Sequence, residues 1–300
     1  MMRLGHDDIA NLYRLGQLKG IGTVRGNRHL FASISSNGKE KTLEELPKMI
    51  GDVNESSIGY LPQKIAQEIA VNYVSILDED YPELLLNNLS YNSPTVLSWA
   101  GNKDLLNAKC IAFCGARNVS EKGLLITSEC IEQLAGDTHI CIVSGYAKGV
   151  DRAAHYAALK NGLSTIIVLP EGISGFVVRK ELADVWDWNR VLVLSSYAPN
   201  EKWSVANAMK RNDIIIALSN AVVVVEAGET GGSFDAGMKT IKNGKCLFVP
   251  QYASSPISAI GNRSLIEQGA IPIRMTASTR KPNIARMRES LTHEVRLFGL

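Results

Sequence analysis

No two cysteines in this chain have CxxC spacing. The five present, Cys110, Cys114, Cys130, Cys141 and Cys246, are an odd number and mostly lie inside apolar runs such as "CIAFC". They read as reduced core residues of an intracellular protein, not as a disulfide framework or a zinc site. The five histidines show no metal-ligand spacing. No apolar run reaches the ~18 residues of a membrane-crossing helix. The opening "MMRLGHDDIANLYRLG" has no apolar leader core, so a soluble cytoplasmic protein is expected. An excess of one charge is also lacking: 32 Lys and Arg face 30 Asp and Glu, for a net charge of +2. Proteins that hold nucleic acid over their whole surface are often far more basic, so any such binding must rest on a local patch. Internal repeats, low-complexity segments and a GxSxG nucleophile elbow are absent as well.

The 300 residues and 45% hydrophobic content suffice for one large core, or a large core plus a small domain. Residues 1–50 carry helical periodicity around a central "KGIG", followed by "TLEELPKMI" with a Thr-x-x-Glu capping box at Thr42 and Glu45. A Gly-Ile-Gly between helices resembles a helix-hairpin-helix, whose turn amides can meet a phosphate; it can equally be only a turn. "GDVNESSIGYLPQK" (51–64) reads as a linker.

From about residue 70 the texture changes. Apolar runs at 110–114, 139–144, 164–170, 191–195, 221–227 and 246–250 alternate with helical stretches at 121–135, 152–161, about 202–218 and 234–243. Continuous apolar strands are buried on both faces. Strand and helix in alternation predict an α/β fold: a Rossmann-like parallel sheet covered by helices on both faces, beside a small N-terminal helical domain. The expected boundaries are 1–60 for the helical domain, 65–275 for the Rossmann-like domain and 276–300 for a short, modestly basic tail containing one helix.

Ligands of open parallel sheets sit beyond the carboxyl ends of the strands. The turns there read "GARNVSEKG", "GYAKGVD", "EGISG" and "GETGGS". Three of the four are glycine-rich and open a helix, where unpaired amides and the helix dipole suit a phosphate. Arg117 and Lys148 add charge. The shared expectation is an anion site formed by several loops. Asp151 is placed as the N-cap of the helix "RAAHYAAL", His155 lies four residues on, and both have structural as well as functional readings. Glu226 closes a buried strand and either binds loop amides or faces the ligand.

Five motifs, in order over residues 70–273, resemble the DprA/Smf family of DNA-processing proteins (DNA recombination-mediator protein A). They are "LDEDYPELLLNNLSYNSPTVLSWAGN", "FCGARNVSEKG", "VSGYAKGVDRAAHYAAL", "KRNDIIIALSNAVVVVEAGETGGSFDAG" and "GNRSLIEQGA". The resemblance implies a non-enzymatic protein that binds single-stranded DNA in the strand-end pocket, forms a homodimer and delivers a RecA-type recombinase during transformation. No cofactor and no metal are expected. Residue by residue, it implies that Arg117 grips a phosphate and that Gly115, Ser144, Gly145 and Gly149 shape the cradle. Lys148, Lys180, Arg211 and Asn212 would line the strand's path, with Gly231, Gly232 and Ser233 in the last loop. Asp151, His155 and Glu226 would support the loops.

The chain also departs from that pattern. Asp213 stands where the family's Arg-Asn-Arg has its second arginine, and a proline before this motif is missing. Lys148 replaces a common arginine, a point charge in place of a bidentate fork. The loop "EGISGFVVRKEL" lacks a Tyr-Pro signature, Asp235 and Gly237 replace Thr and Ala, and no winged-helix domain is expected to follow. The chain reads as a divergent relative. On the DNA reading, Tyr146, Phe176 and Trp203 are the aromatics available to stack on bases, or are packing residues.

Two other readings remain open. In one, the pocket binds or hydrolyses a free nucleotide or a nucleotide-derived signal, a reading that near-neutral charge and Asp213 favour. Related phosphoribohydrolases, however, carry Pro-Gly-Gly-x-Gly-Thr followed by a catalytic Glu, and "EAGETGGSFDAG" has neither that proline nor that Glu. A pure protein-interaction module would use the glycines only for tight turns.

Overall fold

The computed structural model describes residues 4–18, 21–51, 58, 60–66, 68–136 and 139–292. Contacts divide the chain into two units. One comprises Met1–Ala100, Leu169–Val177 and Leu194–Asn207; the other comprises Gly101–Val168, Val178–Val193 and Ala208–Leu300.

The first unit begins with helices α1 (His6–Gln17), α2 (Gly22–Asn37) and α3 (Lys39–Ile50). Leu12, Leu15, Leu30 and Leu46 are fully buried among them. The start of α1 is fixed by the Gly5 amide donating to the Asp8 carboxylate at 2.9 Å. Of the "KGIG" turn, Lys19 and Gly20 lie outside the described residues, as do 52–57 and 59 of the expected linker. The Thr42–Glu45 capping box is corrected by the structure. Gly38, at φ +82°, breaks the chain and starts α3 four residues before Thr42. Thr42 therefore sits inside the helix and donates back to the Gly38 carbonyl at 2.8 Å.

Two short antiparallel strands follow, β1 (Lys64–Ile65) and β2 (Ile69–Ala70). Then come β3 (Asn72–Ser75), α4 (Glu83–Leu89) and β4 (Val96–Gly101), with β3 and β4 antiparallel and Asn72 opposite Trp99. Buried Asn27 ties α2 to this segment. Its amide donates to the carbonyls of Tyr91 and Ser93 at 3.0 and 2.8 Å, and its oxygen accepts from the Thr95 hydroxyl at 2.8 Å.

The elements that follow are β5 (Lys109–Cys114), α5 (Glu121–Leu134), β6 (Ile140–Ser144), α6 (Val150–Lys160), β7 (Ser164–Leu169), β8 (Val191–Ser195), α7 (Val205–Leu218), β9 (Ala221–Val224), α8 (Gly232–Lys242), β10 (Cys246–Pro250), α9 (Asn262–Glu267), β11 (Ile271–Ile273) and α10 (Ala285–Thr292); they belong to the second unit except for Leu169, Leu194–Ser195 and Val205–Asn207. The strand order is β11-β10-β9-β5-β6-β7-β8. The pairings from β11 through β7 are all parallel. The apolar runs read from the sequence become these strands because Ile111, Phe113, Ile142, Val143 and Val223 are covered on both faces. α10 joins the same core through Met287 and Leu291.

This order places the functional turns. Chain order runs outward from β5 through β6 to β7 on one side and from β9 to β11 on the other. The reversal lies between β5 and β9, the point at which an α/β sheet opens a crevice beyond its carboxyl ends.

Candidate phosphate and nucleic-acid interface

The turns after β5 and β6 lock together. Gly149 holds φ +89°, and a Cβ there would meet the Arg117 carbonyl oxygen at 2.6 Å and the Ala116 carbonyl. A Cβ on Gly115 would stand 2.6 Å from Cγ2 of Val150. The Ala116 amide donates to the Glu226 carbonyl at 2.9 Å. The loop after β5 is thus gripped from both sides, and glycine at 115 and 149 is required by neighbouring backbone before any ligand arrives. Arg117 and Lys148 are exposed on the outside of this interlocked pair.

Beneath it lies a buried polar layer. Asp151 and Arg211 are 6% and 7% exposed. A Cβ on Gly145 would collide with the Asp151 carboxylate and stand 2.6 Å from Cζ of Arg211. Burial raises the Asp151 pKa, opposed first by the Arg211 guanidinium and then by the Ala147 amide, which donates to Oδ2 at 3.2 Å. Arg211 also donates from Nη1 to the Val168 carbonyl at 2.7 Å. One expectation changes here. Gly149, not Asp151, is the N-cap of α6, because its positive φ makes the turn and Asp151 folds back from the first helical turn. Arg211, expected along the strand's path, is buried under the loop.

His155 completes the layer. The Gly145 carbonyl can only accept, so Nε2 carries the proton and donates to it at 2.5 Å. Nδ1 lies 2.6 Å from the Thr165 hydroxyl. Burial lowers the His155 pKa to about 4, so the ring is neutral. Ser144 is fully buried and donates to the Phe113 carbonyl at 2.5 Å. Ser144, Gly145, Asp151 and His155 are therefore brought together as the floor of the loop, with no side chain on its outer face.

Of the two readings left open for Glu226, the structure has the amide-binding one. Its carboxylate is fully buried and accepts from the Ser120 amide at 2.9 Å and the Ser120 hydroxyl at 2.5 Å. It also accepts from the Tyr252 hydroxyl at 3.1 Å and the Ser258 hydroxyl at 2.6 Å. Ser120 in turn caps α5 by accepting from the Gly123 amide at 3.1 Å. This knot spans the reversal point between β5 and β9. The loop after β9 then turns at Gly231, with φ +101°, into α8. Asn212 donates to the Gly232 carbonyl at 3.3 Å and so braces that start, while Ser233 is half-buried beside it.

Around Tyr146, a stacking candidate from the sequence, lie two arginines that sequence reasoning missed, Arg152 and Arg179. The Tyr146 hydroxyl accepts from the Arg179 amide at 3.0 Å. The guanidinium carbons of Arg152 and Arg179 lie 6.0 and 5.9 Å from the Tyr146 ring centre. Arg152 is held by Glu181 at 2.5 Å. Lys180, next in the chain, is exposed. The spacing of Tyr146 and Arg152 across one loop and one helical turn was a legible signal; the approach of Arg179 from a distant segment was not. Of the other two aromatics, Phe176 is buried at 5%, which removes it as a stacking surface, and Trp203 is 44% exposed. Among the described residues no group of three His, Cys, Asp or Glu is placed to hold a metal, and no helix is long and apolar enough to cross a membrane.

A profile of the family described as DNA recombination-mediator protein A matches residues 72–281. The chain belongs to this family. It is 37% identical over 199 residues to the DNA processing protein DprA of Streptococcus pneumoniae, covering 65% of this chain and 68% of that one. The X-ray structure of the Streptococcus pneumoniae protein superposes with a TM-score of 0.69 at 28% identity, over 91% of this chain and 95% of the other. DNA processing protein A of Helicobacter pylori, solved to describe its single-stranded DNA binding mode, superposes with a TM-score of 0.57 at 26% identity, over 67% and 90% of the two chains.

Within this DprA framework the two acidic departures, Asp213 and Asp235, are linked. The Lys239 ammonium lies 2.9 Å from Asp213 and 3.2 Å from Asp235. One lysine on α8 thus partly neutralises both carboxylates.

Proposed function

We propose that this chain binds single-stranded DNA, without catalysing a reaction on it, through a phosphate-binding surface at the carboxyl ends of β5 and β6. The observation that carries the reading is the interlock of Gly149 with the Arg117 backbone, which packs together the two loops that carry the exposed Arg117 and Lys148. Loops already packed against each other spare part of the ordering cost when a flexible polyphosphate settles on their cations. Gly115, Gly145 and Gly149 shape the platform, while Ser144, Asp151, His155, Arg211 and Glu226 support it from inside. Lys180, with Arg152 and Arg179 around Tyr146, extends the basic surface along the strand's path. Family membership supports a role in DNA processing and recombination, a homodimeric state, a RecA-type recombinase as partner and a cytoplasmic location.

The test is fluorescence anisotropy with labelled single-stranded and duplex oligonucleotides, wild type against Arg117→Ala. Tighter, salt-sensitive binding of the single strand that Arg117→Ala weakens supports the reading. Absence of single-strand binding at low salt refutes it and shifts the pocket's ligand to a free nucleotide. Light scattering on the free protein decides the dimer, and pull-down with purified recombinase decides the partner.

A further inference from the structure

We infer that the first unit carries a second site for single-stranded nucleic acid, on the outer face of α2. A base settles there on Tyr91 and Arg28, and the backbone phosphates meet Arg25 and Arg28. The site is separate from the loops after β5 and β6, and its assignment rests on the reading above that the chain's ligand is a single strand.

Helix α2 has two faces. Gly26, Asn27 and Leu30 are buried, and a Cβ on Gly26 would touch the Leu15 side chain of α1 at 3.4 Å. Arg25, Arg28 and His29 are exposed. Arg25 precedes Arg28 by three residues and His29 by four, the spacing at which helical side chains neighbour each other with about 5–6 Å between Cβ atoms.

Tyr91 stands against that helix. The Arg28 guanidinium carbon lies 5.3 Å from its ring centre. Phe31 meets the same ring edge-on, with 6.0 Å between centres and 64° between planes. Even so, 40% of Tyr91 remains in solvent. Its place is fixed from inside by Asn27, which is fully buried and donates to the carbonyls of Tyr91 and Ser93. An aromatic ring held partly in water by a buried polar anchor is a stacking surface that needs little ordering before a base arrives.

The charges of the two segments are of one sign. Residues 9–39 contain five Lys and Arg and no Asp or Glu, and residues 84–102, which carry Tyr91, contain no charged residue. The helices packed on α2 do not reverse this. α3 brings three Lys against three Glu. α1 has Arg14 in its last turn and Asp7 and Asp8 in its first, so the acids lie about 14 Å along the axis from the turn into α2, beyond a Debye length of about 8 Å. Asp78 is engaged by Lys39 at 3.2 Å.

The pairing of ring and guanidinium selects the ligand. An acidic peptide would satisfy the arginines and leave the ring uncovered. A single strand offers phosphates to the arginines and a π face on every base, a face that a duplex keeps inside its stack.

The experiment measures the affinity of the full chain for a labelled single-stranded oligonucleotide across a salt series. Wild type is compared with Tyr91→Leu, Tyr91→Phe, the double variant Arg25→Gln with Arg28→Gln, and Arg117→Ala. Tyr91→Leu should lose about tenfold at every salt concentration, the effect of one lost base stack, with the log–log slope unchanged. Tyr91→Phe keeps the ring and should stay within about twofold of wild type. The double arginine variant should flatten the slope by about 1.4, as two phosphate contacts are lost. If Tyr91→Leu and the double variant stay within twofold of wild type while Arg117→Ala weakens binding, the second site is refuted and the strand-end reading stands. A flattened slope with Tyr91→Leu unchanged would show a general anion face and overturn the site as well. If Arg117→Ala changes nothing while the α2 and Tyr91 variants act as expected, the strand-end reading falls and this site stands. If wild type binds no single strand, both fall. Should Tyr91→Leu fail to fold, photo-cross-linking of wild type to a 5-bromouracil oligonucleotide decides instead: a cross-link at Tyr91 is expected, and its absence at saturating oligonucleotide overturns the site.

Discussion

Gly145 packs so closely on Arg211 that a Cβ there would stand 2.6 Å from Cζ of its guanidinium and collide with the Asp151 carboxylate as well. The glycine at this strand end is thus explained by a buried charged pair beneath the loop. Gly145→Ala must push those charges apart or move the loop. An overpacked site of this kind costs about 3 kcal/mol. Urea unfolding should show that loss, while Gly175→Ala, where nothing lies within 4 Å, should shift stability by less than about 0.5 kcal/mol.

Arg117 and Lys148 are exposed and lie outside the buried layer. Arg117→Ala and Lys148→Ala should each change folding stability by less than about 0.5 kcal/mol. Each should flatten the log–log salt dependence of single-strand affinity by about 0.7, the effect of losing one phosphate contact. A variant that loses stability together with affinity would show that its side chain supports the loop instead.

His155 ties stability to pH. Its folded pKa of about 4 lies below the ordinary 6.5 because burial disfavours the charged ring. The unfolded imidazole therefore takes up a proton first as pH falls. The contribution is fully present above pH 6.5 and is lost between 6.5 and 4, up to about 3 kcal/mol. The raised pKa of Asp151 acts in the opposite direction and is common to both proteins compared. His155→Gln should be less stable at pH 7.5 yet lose less between pH 7.5 and 5. An unchanged pH slope would contradict a neutral buried ring.

The Glu226 carboxylate accepts from Ser120, Tyr252 and Ser258 and is fully buried. Glu226→Gln presents an NH2 donor to donors and leaves at least one of them unsatisfied. A loss of about 2–3 kcal/mol is expected in urea unfolding. Hydrogen exchange should quicken in the loop after β5 before it does so elsewhere.

Much of this was legible in the sequence, and the limits follow from range. Runs such as "HICIVS" and "STIIVLP" became buried parallel strands because two-sided burial leaves a continuous apolar signal. The glycine-rich turns after β5 and β6 marked the candidate site because their backbone geometry is encoded locally. What escaped was non-local. Nothing around Arg211 says that its guanidinium returns beneath a turn some sixty residues earlier in the chain, and nothing around Lys239 shows that it bridges Asp213 to Asp235. Phe176 lies in a loop rich in glycine, yet tertiary packing buries it. Thr42 had the right spacing for a capping box, but the positive φ available to Gly38 started the helix sooner.

The measurement that tests the central claim most directly is hydrogen–deuterium exchange with and without a single-stranded oligonucleotide. The account predicts protection strongest in residues 115–120 and 145–152. Protection absent from the loops after β5 and β6 at saturating DNA would contradict it.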